Sequence, residues 1–435
     1  MTASRQLARY VRSLRPRELG DEAREGALRC VLDLLAAAAA GHTDRSVGAA
    51  RRMAISEHGS GTASIWFTGQ VASLLGAAFA NSAAASILDL DDGFRLARGH
   101  PGAAVIPSAF AAATEGTTAE DFLAAVVAGY EVGVRVAQGR PDYAPTGVWS
   151  PYAAIAAAAS LRGTDEPALA HALAIAAQAA PAMPGKAGLV GSDVKEGIPF
   201  GTLAGLQALR LAECGFTGPP GILDLAGHFD GARITAGLGG PPCIGRTYFK
   251  PYACCRHIHA PVDAYVALAA RAGFAAKDID AIEVHTYGGT FNLSNRTSPA
   301  TLVEAQYSVP FCLALAALRG TRALLPLEPA WLEDEAVRAL ASRVTLHRDA
   351  AIEARFPAES PARVVVSTAA GRFESPVTTP RGDPDAPLDW DDLVAKFSAA
   401  TRRALPGARQ AAILAAVDRL RAGELAPLRE ALGTG

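Results

Sequence analysis

A chain of 435 residues suggests two or three domains at about 150 residues each and is long enough to bury more than one core. Half of the residues are apolar, 19% are charged and 6% aromatic, which excludes a disordered chain, while 42 Gly and 28 Pro are too few for a collagenous or low-complexity one. With 41 Lys and Arg against 43 Asp and Glu the net charge is −2, so nucleic acid is not an expected partner.

Met1 leads through Arg5, Arg9, Arg12, Arg15 and Arg17 without an apolar block, so no secretory leader is expected and the protein is read as cytoplasmic. Apolar runs such as 34–41 fall well short of the ~20 residues that cross a bilayer, so no membrane partner is expected. Up to about residue 240 the pattern is helical. Residues 22–39 place Ala27, Val31, Leu34 and Leu35 at helical spacing, and Ala- and Leu-rich helices are predicted over 70–86, 119–137, 151–161, 167–179 and 202–213. Turn clusters at 59–61, 139–141 and 218–220 separate them. So much alanine predicts helices that approach one another closely. After Gly239-Gly240-Pro241-Pro242 the pattern alternates: 281–287 and 343–347 read as strands, and 362–367 with 372–377 as a hairpin around Ala370-Gly371. Helices are predicted near 260–272 and 304–318, and again from Asp389 onward, ending with 410–421. The economical reading is mainly α: an all-helical domain from 1–245 and 390–435, and a smaller α+β domain from 246–389.

Six scattered cysteines, Cys30, Cys214, Cys243, Cys254, Cys255 and Cys312, form no C-x-x-C pair and are read as reduced thiols. Three segments carry the candidate chemistry. In the first, Leu88-Asp89-Leu90-Asp91-Asp92-Gly93 precedes Gly99-His100-Pro101. A calcium loop counted from Asp89 would need Glu at its twelfth position, where His100 stands, and acids capping a helix are an equal reading. Pro101 before an apolar run places His100 at a helix N-terminus, where free N–H groups favour an anion. The second segment is 191–199, where Lys195 flanked by Glu196 and Gly197 binds an anion, moves a proton, or is a solvated loop lysine. The third, 248–259, gathers Lys250, Arg256, His257, His259 and three aromatic residues in a chain with nine histidines. His257 and His259 share a strand face but lie about 200° apart on a helix, so on a helix only one of them faces a cleft. No third ligand stands near this His-x-His pair, and no metal is expected. Walker A, strand-to-helix G-x-G-x-x-G and G-x-S-x-G motifs are missing, so no cofactor is expected. What remains suits proton transfer on an anionic substrate.

Taken together, these stretches resemble the MmgE/PrpD family. They are Asn81 to Asp92 with Gly99-His100-Pro101, Pro145-Thr146-Gly147 before Tyr152, Lys195 ahead of the helix ending at Gly215-Phe216-Thr217-Gly218-Pro219, Lys250-Pro251-Tyr252 through His259 to Asp263, and Glu304-Ala305-Gln306-Tyr307-Ser308. Family members include 2-methylcitrate dehydratase, cis-aconitate decarboxylase and iminodisuccinate epimerase. The resemblance implies a large helical domain, a smaller lid domain, a homodimer and an active site in the cleft between domains. It carries catalytic positions onto Asp89, His100, His259 and, across a one-residue gap, Lys195. The implied activity is a cofactor-independent lyase acting on a small di- or tricarboxylic acid, by dehydration or decarboxylation through proton transfer next to a carboxylate. The alternatives are an epimerase or isomerase using the same residues, and a non-catalytic organic-acid binder. In this reading His259 is the principal base or acid with His100 as partner, and Lys195 and Arg256 hold carboxylate and developing charge. Asp89 orients His100 or a substrate hydroxyl, and Lys250, Tyr307 and Asp92 complete the substrate-binding set. The chain departs from the decarboxylase pattern at Gly93, where that enzyme has Thr, and at Phe311, where it has Tyr. Ile198 or Gly197 replaces a His found in many members, and Ala144 replaces one that often precedes Pro-Thr.

Overall fold

The computed structural model describes residues 1–59, 61–182 and 192–435; Gly191, which opens the lysine segment, lies outside the described residues. Helices Asp21–Gly41, Leu74–Ser86, Gly102–Ala112, Ala119–Gln138, Thr146–Arg162, Glu166–Ala179 and Ile198–Glu213 occupy the stretch with helical periodicity. Their starts follow local chemistry: Thr118 Oγ1 accepts the Asp121 N–H at 3.1 Å in a capping box, and the Asp165 side chain accepts the Ala168 N–H. Small residues let these helices touch, as the alanine content suggested. A Cβ on Gly133 would lie 2.6 Å from Ala153 Cβ.

Two predicted helices are shorter or broken. Gln70–Ala72 pairs antiparallel with Ala63–Ile65, and the helix begins only at Leu74, capped by Ser73 Oγ. Asn81 holds that small hairpin, accepting from the Trp66 N–H at 2.9 Å and donating to Ser64 O at 2.9 Å. The 304–318 run divides into Leu302–Gln306 and Val309–Arg319, because Pro310 lacks an N–H and Ser308 Oγ caps a new helix at Phe311 N–H.

Apolar side chains collect in clusters that cut across the sequence order. Leu393, Phe397, Ile413, Val417 and Leu420 of the tail helices Trp390–Thr401 and Gly407–Arg421 share a core with Leu28, Val31 and Leu35. A second core surrounds a four-stranded mixed sheet in the spatial order Val344–Arg348, Ile279–Thr286, Arg363–Thr368, Gly371–Glu374. The first pair is parallel and the others antiparallel; Thr368 opposite Gly371 closes the predicted hairpin. Helices Arg256–Ala272 and Val309–Arg319 pack there, with Ile258, Val262 and Leu313 against Ile282, Val284 and Val366. The chain is therefore mainly helical with a small mixed sheet in its C-terminal part, as expected. Among the described residues no helix is long and apolar enough to cross a membrane.

Leu88 and Leu90 also enter the second core, although they follow helix Leu74–Ser86. Their alternation with Asp89 and Asp91 turns both acids away from that core. The loop is thereby pinned where the two cores meet.

Candidate active site

Asp89 is the centre of the site. Its φ of 51° lies in the left-handed region that Asp tolerates better than most residues, and its N–H returns to Ser86 O at 3.2 Å. Lys195 Nζ donates to Asp89 Oδ1 at 2.8 Å and to Ser86 O at 2.5 Å. Lys250 Nζ lies 3.0 Å from the same oxygen as an ion pair without hydrogen-bond alignment, and His100 Nε2 lies 3.4 Å away. Burial by itself would raise the pKa of Asp89, but the two ammonium groups and His100 hold it well below the usual carboxylate range. Burial likewise disfavours the charge on Lys250, and the Asp89 carboxylate reverses this, raising its pKa.

His100 Nδ1 is 2.6 Å from the Asp92 carbonyl oxygen, which only accepts, so Nδ1 carries the hydrogen. Nε2 is left facing Asp89 and Glu196, whose Oε1 lies 3.7 Å away. Glu196 is itself buried and fixed: its Oε2 accepts the Thr146 hydroxyl and the Thr146 N–H. Asp91 is fully buried, with neither oxygen hydrogen-bonded among the described residues, 3.8 Å from His100 Nδ1. The Asp92 carboxyl points away from the cleft, where it accepts the Tyr130 hydroxyl and the Gly102 N–H. Burial and the neighbouring Asp33 charge push its pKa up to about 7.

Beneath this cluster lies an ion pair that sequence reading missed. Lys396 Nζ, from the tail helix, donates to Asp33 Oδ1 at 2.5 Å and to Leu90 O at 2.8 Å. A signal existed, since each is the only charge in an apolar stretch: Asp33 within 30–40 and Lys396 within 393–400.

A cleft of about 260 Å³ connects His100 and Glu196 to the segments 248–257 and 356–360. Three guanidinium groups line it. Arg95 donates to Ser360 Oγ and to Asp383, while Arg256 Nη2 donates to Asp383 Oδ1 at 2.8 Å and to Arg381 O at 2.8 Å. Arg256 also stacks 4.7 Å from the centroid of the Tyr248 ring. Arg98 is exposed over Tyr143, its guanidinium making no hydrogen bond or ion pair among the described residues. Tyr307 lines the cleft too. Its buried hydroxyl has no partner among the described residues, and burial raises its pKa well above the usual tyrosine value, so it stays a donor.

The helix Arg256–Ala272 separates the two histidines, and the outcome differs from the expectation for His259. It is His257 that reaches the cleft, with Nδ1 2.6 Å from the Tyr287 hydroxyl. Burial and Arg95 push its pKa down to about 4, so it is neutral at pH 7. His259 is fully buried, its Nε2 3.1 Å from Cys254 O and its Nδ1 3.4 Å from Arg256 Nη1, with the ring against Tyr252. Burial and the Arg256 charge hold its pKa well below the usual value.

Of the remaining expected residues, Lys250 is fully buried behind Asp89 rather than facing the cleft. Lys195 lines a neighbouring, mostly apolar cavity of about 310 Å³ with Val47, Met53, Phe79 and Phe200. Phe311 is packed in the second core. Gly93 is required by Tyr248: a Cβ at 93 would lie 2.2 Å from Cζ of that ring, so the phenol takes the space a threonine would need. Donor atoms of Asp89, Asp91 and His100 lie within 4.8 Å of one another, as a metal site would need. The ammonium groups 2.8 and 3.0 Å from Asp89 Oδ1 already supply the positive charge there.

Fold and cleft define a class: a mainly helical protein with a small mixed sheet and a buried cluster of acids, lysines and histidine opening on arginines. The MmgE/PrpD N-terminal domain matches residues 5–232 and the MmgE/PrpD C-terminal domain matches residues 252–422, so the chain belongs to the MmgE/PrpD family. A comparison with curated proteins finds no match. At family level this membership supports an organic-acid enzyme of dehydratase or lyase type.

Proposed function

We propose that the protein is a cofactor-independent lyase acting on a small di- or tricarboxylic acid by proton transfer next to a carboxylate. The observation that carries this reading is the shared cleft of His100 and His257, lined by three guanidinium groups. Substrate carboxylate meets Arg98, Arg95 and Arg256, as bidentate geometry favours. Neutral His257 accepts the proton from the adjacent carbon at Nε2, while the guanidinium groups and the Tyr307 hydroxyl stabilise the charge left behind. In a dehydration the electron pair forms the new C=C bond and the C–O bond breaks. His100, protonated at Nε2 between Asp89 and Glu196, gives its proton to the departing hydroxyl, which leaves as water.

In this proposal His259 positions Arg256 instead of acting on substrate, because its ring nitrogens face Cys254 O and Arg256. The same two cleft histidines also permit an epimerase, one removing and the other returning a proton. Proton NMR in D₂O with a panel of di- and tricarboxylates, hydroxy acids and amino-dicarboxylates separates these readings. Loss of water with appearance of a vinyl signal, or loss of CO₂ with deuterium entering the carbon it leaves, is the expected result. Exchange with inversion and no loss identifies the epimerase, and binding without exchange across the panel overturns both.

A further inference from the structure

Glu196 has no part in the pattern carried over from the family, yet it is the carboxylate that lines the cleft beside His100. Its backbone and side chain are both fixed. The Gly147 N–H donates to its carbonyl oxygen at 2.8 Å, and Thr146 occupies Oε2 with its hydroxyl and its N–H at 3.3 Å. Oε1 has no protein hydrogen-bond donor among the described residues.

Among the described residues no lysine or arginine pairs with it. Lys195 and Lys250 are both spent on Asp89, at 2.8 and 3.0 Å, and Arg95 and Arg256 are both held by Asp383. Among the described residues the basic side chain that comes within 4 Å of Glu196 is that of His100, at 3.7 Å. A second carboxylate brought against this buried one is repelled across a medium that screens poorly. A hydroxyl or ammonium group placed there gains a charge-assisted hydrogen bond.

We infer that Glu196 is a specificity-determining residue: it selects a hydroxyl or amine donor at the His100 end of the substrate and rejects a carboxylate there. The inference rests on the organic-acid reading above. Carboxylates belong at the arginines, and the group that leaves or exchanges belongs at Glu196.

Calorimetric titration with malate, succinate and tricarballylate tests this, since succinate lacks the hydroxyl of malate and tricarballylate carries a third carboxylate. The wild-type protein binds malate about tenfold or more tighter than succinate, the effect of a hydrogen bond to a buried charge. In Glu196→Gln that ratio falls to near one and tricarballylate binding tightens about tenfold. Glu196→Asp, which keeps the charge but shortens its reach, retains part of the preference. A malate-to-succinate ratio equal in wild type and Glu196→Gln overturns the inference while leaving the acid-binding reading intact. Failure of all three acids to bind the wild-type protein overturns that reading and this inference with it.

Discussion

Two buried charge groups sit side by side in this protein and respond to burial in opposite ways. Asp33 has a single ammonium partner, Lys396, and burial wins: its pKa rises to about 6 while burial lowers that of Lys396. Asp89 has two ammonium groups and a histidine around one oxygen, and there the opposing charges win over burial. The number of cations per carboxylate decides the outcome, not depth, since both acids are fully buried or nearly so. The lone pair can relax by moving a proton, whereas the larger cluster stays charged, which is what an anion-handling site needs.

The largest expected effect separates the histidines of the cleft from the one behind it. His100→Asn and His257→Asn each lower turnover about 10²- to 10⁴-fold, the range of a general acid or base. His259→Gln lowers it less than about tenfold if its role is to support Arg256. Steady-state rates on the substrate found by NMR check this; a loss at His259 matching that at His100 would return the base to His259.

Next come the two carboxylates themselves. Asp89→Asn leaves two buried ammonium groups uncompensated and costs about 3–5 kcal/mol in urea unfolding. Lys396→Met costs less, about 1–3 kcal/mol, because Asp33, already raised by burial, loses the charge that holds its pKa down, takes up a proton and becomes a neutral buried group. Replacing both partners, Asp33→Leu with Lys396→Met, recovers most of that loss. Equal costs for the two single variants would erase the contrast.

The smallest effect is in pH. Asp33 and Asp92 are raised to about 6 and about 7, above the ~3.9 of an unfolded Asp. The native state then holds protons that the unfolded chain has already lost, so this stability is present below pH ~4 and is lost as pH rises to about 7. Asp33→Asn removes on the order of 1 kcal/mol of that decline. Thermal unfolding between pH 4 and 7 reads it, and a slope unchanged by the substitution contradicts the placement of the proton.

Much of the fold was legible along the chain because its signals are local. Helical spacing marked the run around Val31 and Leu34, alternation marked the strand around Ile282 and Val284, and Gly371 marked the hairpin. Helix starts and breaks were less legible. Ser73 and Ser308 act as caps only once the neighbouring hairpin and proline have set the backbone. Asp89, His100, Lys195 and Arg256 could be singled out because unusual polar residues were concentrated in short segments.

Sequence spacing established that His257 and His259 diverge on a helix, a consequence of about 100° per residue. Which of them faces the cleft depended on the packing of Arg256–Ala272 against the sheet, and no local pattern carries that. The pairing of Asp33 with Lys396, 363 residues apart, and the filling of the space beside Gly93 by Tyr248 were likewise decided only in three dimensions. Propensity and periodicity act between near neighbours. Charge pairing and excluded volume act through space, and so the chemistry of the cleft became readable only after the chain had folded.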